Sequence, residues 1–370
     1  MFDQALPFWA EHGIDRAFGG PVEELAADGL SVQPSPFKRT RVAARQLYVF
    51  SHAALLGWDK GRAVADIMFV HLTQKCWQGP LEGWVRTTTP SGEALDRTPD
   101  LYDYAFALFG LGWYHKLTGN AQALALAHQT CDLIDAHFVH PDGGFLHARP
   151  APLPRQQNPH MHVFEAALVL FETSGEARFG DLATQIRNLF AEHFFQADTG
   201  ILPEFFAEDL TPIAGPQGRI MEPGHHFEWA WILGQHQRLT GINNVDDIHS
   251  LMRFGERWGV DQKTGLTFNQ VRDDGLVLDA GSRTWPNTER IKGWIAWQEY
   301  GGKDCAQAVA QSTNCLFDWH LKHPIAGCWR DAFDGAGGVA SKAMPASTLY
   351  HVFLAFAEVL RVFPVRAAAL

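Results

Sequence analysis

Leu81-Glu82-Gly83-Trp84, Pro141-Asp142-Gly143-Gly144-Phe145 and Asp198-Thr199-Gly200-Ile201-Leu202 carry one short signal, a turn ending in glycine and then an apolar residue. It recurs at Ala17-Phe18-Gly19-Gly20-Pro21, Lys263-Thr264-Gly265-Leu266 and Ile325-Ala326-Gly327-Cys328-Trp329. From Gly20 through Gly83, Gly144, Gly200 and Gly265 to Gly327, the successive separations are 63, 61, 56, 65 and 62 residues. One glycine beside an aromatic residue is noise. Six at an even spacing, nearly filling the chain, are an internal repeat.

Helical periodicity lies between the glycine loops. Residues 101–117 place Leu101, Tyr104, Ala105, Leu108, Leu111 and Gly112 at intervals of three and four, as one buried helix face requires. Residues 162–172, with Val163, Ala166, Ala167 and Leu170, follow the same rule, as do 227–239 and 348–361. A second punctuation falls at Leu117-Thr118-Gly119-Asn120, Ser174-Gly175-Glu176, Leu239-Thr240-Gly241 and Tyr300-Gly301-Gly302. Each follows an aromatic- or Leu-rich helix and reads as a glycine helix stop. Two helices per period, six times, predict about twelve helices. Closed into an inner and an outer ring they make an (α/α)6 barrel; left open they would form an α-solenoid. Six repeats and aromatic-rich inner helices favour closure. The expected architecture is all-α, one catalytic domain over residues 1–370. Strand signals are confined to short hairpin arms at the mouth, such as Gly144-Phe145-Leu146-His147 and Gly265 to Val271.

Composition narrows the function. With 46 % hydrophobic residues in 370, a large core can be buried. Thirteen Trp exceed what a core needs, and aromatic faces are also what sugar rings stack on. A net charge of −11 argues against a nucleic-acid backbone or an anionic membrane as partner. No stretch approaches the length of a membrane span, and the first residues lack the pattern of a signal peptide. Cys76, Cys131, Cys305, Cys315 and Cys328 are odd in number and lack a C-x-x-C pair. They read as scattered thiols in a reducing, cytoplasmic setting. A monomer or homodimer is expected.

The polar residues that could do chemistry cluster where helices begin. Asn158-Pro159-His160-Met161-His162 opens one helix, Pro223-Gly224-His225-His226-Phe227-Glu228 a second and Thr348-Leu349-Tyr350-His351 a third. In a barrel the starts of the inner helices converge at one mouth, so three distant stretches would share a pocket. His225 and Glu228, three apart, share a helix face. A carboxylate beside an imidazole fixes its tautomer and raises its basicity, as acid–base catalysis needs; the plain alternative is a surface pair. Trp231 stands near the same face. His162 follows Asn158 by four residues, and Trp285 precedes Glu289 by four, an aromatic plate beside a carboxylate. Arg45 shares a face with Arg41; pointed inward it would serve a developing oxyanion, outward it would be solvated charge. His160-x-His162 could pair on a metal, but no third ligand is spaced to complete the set and H-E-x-x-H is absent, so neither metal nor cofactor is expected. Gly335-Ala336-Gly337-Gly338-Val339-Ala340 fits a dinucleotide fingerprint only on paper, because no strand precedes it.

These stretches together resemble the N-acylglucosamine 2-epimerase superfamily. The resemblance is carried by Ala44-Arg45-Gln46-Leu47-Tyr48, Leu101-Tyr102-Asp103-Tyr104-Ala105-Phe106, Asn158 through Ala166, Pro223 through Trp231, Trp285-Pro286 through Glu289, and His351. It implies an (α/α)6 barrel and cofactor-free proton transfer at C2 of an aldose through a cis-enediol. It implies that His225, backed by Glu228, and His351 are the acid–base pair, and that Arg45 binds oxygens at the reacting end of the sugar. Asn158, His162, Trp231, Trp285, Glu289 and Tyr102 would line the sugar site. Ser347 departs from the longer amide of some members, which bears on substrate choice. Mannose to fructose isomerisation is the first expectation, with 2-epimerisation as the alternative. A glycoside hydrolase or lyase on the same barrel would need two facing carboxylates; a non-catalytic scaffold would not need three histidine clusters converging at one mouth.

Overall fold

The computed structural model describes residues 1–29 and 31–364. Among them are twelve α-helices in two sets. The inner set is α2 (Thr40–Leu55), α4 (Leu101–Thr118), α6 (Asn158–Ser174), α8 (Pro223–Thr240), α10 (Thr284–Tyr300) and α12 (Thr348–Val362). The outer set is α1 (Ala5–His12), α3 (Gly61–His71), α5 (Ala121–His137), α7 (Ala177–Leu189), α9 (Val245–Trp258) and α11 (Ala306–Asp318). Inner helices pack in chain order, and α12 returns to α2, so the ring closes and an open solenoid is excluded. From α2 to α11, each outer helix lies against the inner helix before it. The periodicity placed the ends of α4 and α12 within a residue; α6 and α8 each begin four residues earlier than the apolar pattern, because their first turns are polar and line the mouth.

All six repeat glycines adopt positive φ, between 63° and 90°. Each turn reverses the chain after an outer helix, and a bridge such as Trp77 to Trp84 or Gln196 to Ile201 closes it. Gly83 shows why no larger residue fits. A Cβ there would lie 2.0 Å from the Tyr104 hydroxyl, which itself accepts the Trp84 amide at 3.3 Å. The second punctuation marks are caps. Gly119, Gly175 and Gly241 end α4, α6 and α8 in the left-handed conformation, and Asn120 then caps α5 through its side chain. Gly301 ends α10 at φ −81°, and the positive φ passes to Gly302.

Short antiparallel pieces fasten the inner helices at one end. Lys38–Arg39, Arg155–Gln156, Ile220–Met221, Ser282–Arg283 and Ala343–Pro345 each pair with a neighbouring loop immediately before an inner helix starts. Gln270–Arg272 is one such partner; in Gly144–His147 Phe145 makes a single isolated bridge, to Val139, rather than a strand. The main hydrophobic core draws on residues from Leu6 to Ala357, with two smaller clusters around Ile291 and Met221 beside it. No described helix is long and apolar enough to cross a membrane, and all five cysteines are free thiols.

Gly83→Ala should destabilise the fold by about 2–4 kcal/mol, since left-handed strain adds to displacement of Tyr104. Gly119→Ala, where a Cβ meets nothing within 4 Å, should lose only about 1–2 kcal/mol. Urea denaturation of the two variants side by side checks the difference.

Candidate active site

The starts of the inner helices enclose a cavity of about 440 Å³. Its walls carry Arg45 from α2, Tyr102 from α4, Asn158 and His162 from α6, His225 and Glu228 from α8, Trp285 from α10, and Thr348 and His351 from α12. The mouth loops add Gln156, Glu204, Glu222, Arg283, Asp331 and Ser347. Trp285 sits between the two histidines, its ring 5.0 Å from that of His225 and 5.8 Å from that of His351.

Each histidine is oriented by a carboxylate on its Nδ1 side. His351 donates from Nδ1 to Glu289 Oε1 at 2.7 Å, and His225 from Nδ1 to Glu204 Oε1 at 2.8 Å. This tautomer, assigned from the hydrogen-bond network, leaves each Nε2 for the cavity. Their charge states nevertheless diverge. Burial works against a proton on His225, but the charge and hydrogen bond of Glu204, with help from Glu222 and Glu228, outweigh it and raise its pKa to about 9. His351 is pushed well below the ordinary histidine value by burial, then by Arg45, Lys292 and His162. Glu289 does not reverse this, because Lys292 Nζ, 2.6 Å from its other oxygen, shares its charge. At neutral pH the site thus holds one imidazolium and one neutral imidazole. Environments that push two titratable groups apart in this way separate an acid from a base. The value near 6.5 expected of an unperturbed imidazole applies to neither.

Arg45 points inward. Its Nη2 donates to the Tyr102 hydroxyl at 2.7 Å, and its guanidinium lies 4.1 Å from the Phe106 ring centre and 5.0 Å from that of Tyr350. Its neighbour Arg41 is committed to Asp103. A sequence model of the N-acylglucosamine 2-epimerase (GlcNAc 2-epimerase) family matches residues 20–355. The chain belongs to this family. It is therefore an enzyme of the sugar epimerase and isomerase class. The mannose-6-phosphate isomerase of Rhizobium meliloti is 32% identical over 364 residues, 96% of this chain and 94% of that protein. The D-mannose isomerase of Thermobifida fusca is 25% identical over 335 residues, 80% and 81% of the two chains. The solved cellobiose 2-epimerase from Spirochaeta thermophila superposes with a TM-score of 0.86 at 26% identity, over 97% of this chain and 94% of that one.

Within this family frame, three sequence expectations change. Glu228 is not the carboxylate that orients His225; Glu204 is. Glu228 Oε1 is buried without a hydrogen-bond partner among the described residues. Burial, then Glu289, raises the Glu228 pKa well above its ordinary value, and the side chain faces the cavity. Glu289, expected to line the sugar site, instead lies behind His351 and off the cavity wall. Trp231 does not reach the mouth. Six residues along a helix carry a side chain past the site, and Trp231 lines a separate apolar cavity at the other end of the barrel, donating to Glu358 at 2.8 Å. Asn158, His162, Trp285 and Tyr102 do line the cavity.

Glu204 and Lys292 were missed. Glu204 lies in a mouth loop, Leu202-Pro203-Glu204-Phe205, where no periodicity marks direction. Lys292 did leave a signal, a lysine inside the apolar run Ile291-Lys292-Gly293-Trp294-Ile295. His160 does not pair with His162. Its ring accepts the Phe145 amide and donates to the Gln156 carbonyl, a structural role. Partners for His162 come instead from its own helix and α8. Ligand atoms of His162, Glu165 and Glu228, and of Glu228, Glu289 and His351, lie within 4.8 Å of one another. The positive charge among these carboxylates is the Lys292 ammonium.

Removing the charge of Glu204 should lower the His225 pKa. In Glu204→Gln, an NMR titration of the His225 ring should show it losing its proton well below the value of about 9 in the native enzyme. An unchanged titration would show that Glu204 does not govern that charge.

Proposed function

We propose that this enzyme is an aldose–ketose isomerase acting on a free hexose, mannose to fructose, by proton transfer through a cis-enediol, and that the whole chain is one catalytic domain. The observation that carries the reading is a pair of histidines on either side of Trp285, one protonated and one neutral. A C2 proton of an aldose is only weakly acidic. Its removal needs a base at carbon and a positive partner at the carbonyl oxygen, both inside one desolvated site.

The open-chain aldose lies with one face on Trp285. Neutral His351 takes the C2 proton at Nε2. Protonated His225 gives its proton to O1, while Arg45 donates to the same end of the sugar as negative charge develops there. The cis-enediol results. His225, now neutral, takes the O2 proton; His351 returns its proton to C1; the ketose leaves and both histidines are restored. Delivery of a proton to the opposite face of C2 would instead give the 2-epimer, so the outcome depends on which carbon each ring reaches. Asn158, His162, Tyr102 and Glu228 supply hydrogen bonds to the sugar hydroxyls. Arg45, His225 and Lys292 provide positive charge within the protein, which supports a metal-independent mechanism. A free sugar is favoured over a phosphate ester because Arg283, the rim cation, lies 3.6 Å from Glu222 and beside Asp331. A phosphate dianion calls for several uncommitted donors.

Incubation with mannose, mannose 6-phosphate, cellobiose and N-acetylmannosamine in heavy water tests the assignment. Fructose carrying deuterium at C1 is expected from mannose, unchanged by a chelator. A product without solvent hydrogen would overturn the enediol route, and loss of activity restored by a divalent ion would overturn metal independence. His225→Asn and His351→Asn should each slow turnover by about 10²–10⁴-fold. The rate should also fall as pH rises through about 9, where His225 loses its proton, and on the acid side only below the ordinary histidine range, where His351 gains one.

A further inference from the structure

Lys292 is fully buried in the middle of α10, one turn beyond Glu289. It is not part of the cavity wall, and no sugar oxygen can reach it there. Nζ lies 2.6 Å from Glu289 Oε2, off the line of a good hydrogen bond, and 4.1 Å from the Trp231 ring centre. A buried ammonium is costly unless carboxyl groups surround it. Glu289 foremost, then Glu228 and Glu165, outweigh the burial penalty and keep Lys292 charged. Such an arrangement is not needed for packing alone, since an apolar side chain would fill the same space at lower cost.

We propose that Lys292 is a positioning residue for the His351 arm, its ammonium being the fixed counter-charge that keeps Glu289 a carboxylate and so holds the imidazole with Nε2 open to the cavity. The inference rests on the reading of His351 as a proton-transfer group. The groups around that imidazole come from every neighbouring element: Arg45 on α2, Tyr102 on α4, His162 and Glu165 on α6, His225 and Glu228 on α8, Glu289 and Lys292 on α10, Tyr350 on α12 and Asp331 from a mouth loop. Lys292 acts on this cluster as a whole. Removing one positive charge raises the proton affinity of every member. Whether the added proton settles on His351, which is then no longer a base, or on Glu289, which then loses its hold on Nδ1–H, the enzyme is inactivated at a higher pH.

The experiment is the pH dependence of kcat and KM for mannose in Lys292→Met and Lys292→Arg. In Lys292→Met the acid limb should move up by about one pH unit or more and kcat should fall, while KM stays within about twofold because no sugar contact is lost. Lys292→Arg, which keeps the charge, should retain the native acid limb. An acid limb that stays in place in Lys292→Met, with activity lowered equally at all pH values, would overturn the proposal in favour of simple packing. If Lys292→Met does not fold, the same comparison is made between Glu228→Gln and the Glu228→Gln/Lys292→Met double variant, in which one negative charge has also gone; the acid limb should again lie higher without the lysine. His351→Asn separates the two levels. Full activity in that variant removes His351 from the chemistry, whereas an inactive His351→Asn beside an unmoved acid limb in Lys292→Met rejects the lysine alone.

Discussion

Six left-handed glycine turns return the chain from an outer helix to an inner one, and everything at the mouth depends on them. Each turn is followed by a short extended piece that pairs with a neighbouring loop and delivers the chain to the ring of inner-helix starts. Because every inner helix begins at the same end, residues hundreds of positions apart meet there, as Arg45 meets the carbonyl of Ser347. The positive φ at Gly83 is therefore more than a local convenience. A residue that could not adopt it would shift the arm that precedes α4, and with it Asp100, whose side chain caps that helix at Tyr102 and Asp103.

At the mouth, two histidines with the same kind of partner end with different charges. The distances from imidazole to carboxylate are nearly equal, so geometry at the first contact does not decide the outcome. The next shell does. Glu204 answers mainly to His225, with Gln157 donating to its second oxygen at 3.0 Å, whereas Glu289 answers to Lys292 as well as to His351. Cations around His351 then make a further positive charge unfavourable. Acid and base roles thus follow from what stands behind each carboxylate.

The ring of helices was legible because its period is carried by backbone necessity. Glycine is almost alone in tolerating positive φ, so the loops marked themselves in the sequence. His225, His351, Arg45 and Trp285 were legible as polar or aromatic residues at helix starts, whose direction a barrel fixes. Glu204 was not, since a loop carries no periodicity from which to read where a side chain points. Trp231 was misplaced for the opposite reason. Sharing a helix face says nothing about height along the barrel axis, and six residues at 1.5 Å rise move a side chain by about 9 Å. Glu228 was assigned by its spacing from His225, a rule for exposed helix pairs that loses force where neighbouring helices offer closer partners.

The two arms differ in how they are built. His351 and Glu289 both belong to inner helices, packed side by side and tied at their base by Lys292. His225 is on a helix, but Glu204 comes from a loop between the short pieces that pair at the rim. Helix-to-helix contacts in a full core resist change, while loops accept insertions and substitutions. One half of the machinery is in this sense inherited with the scaffold, and the other can drift. Divergence among sugar-converting barrels of this kind has an accessible path through the 195–222 loop, which can retune one proton donor while leaving the opposite base untouched.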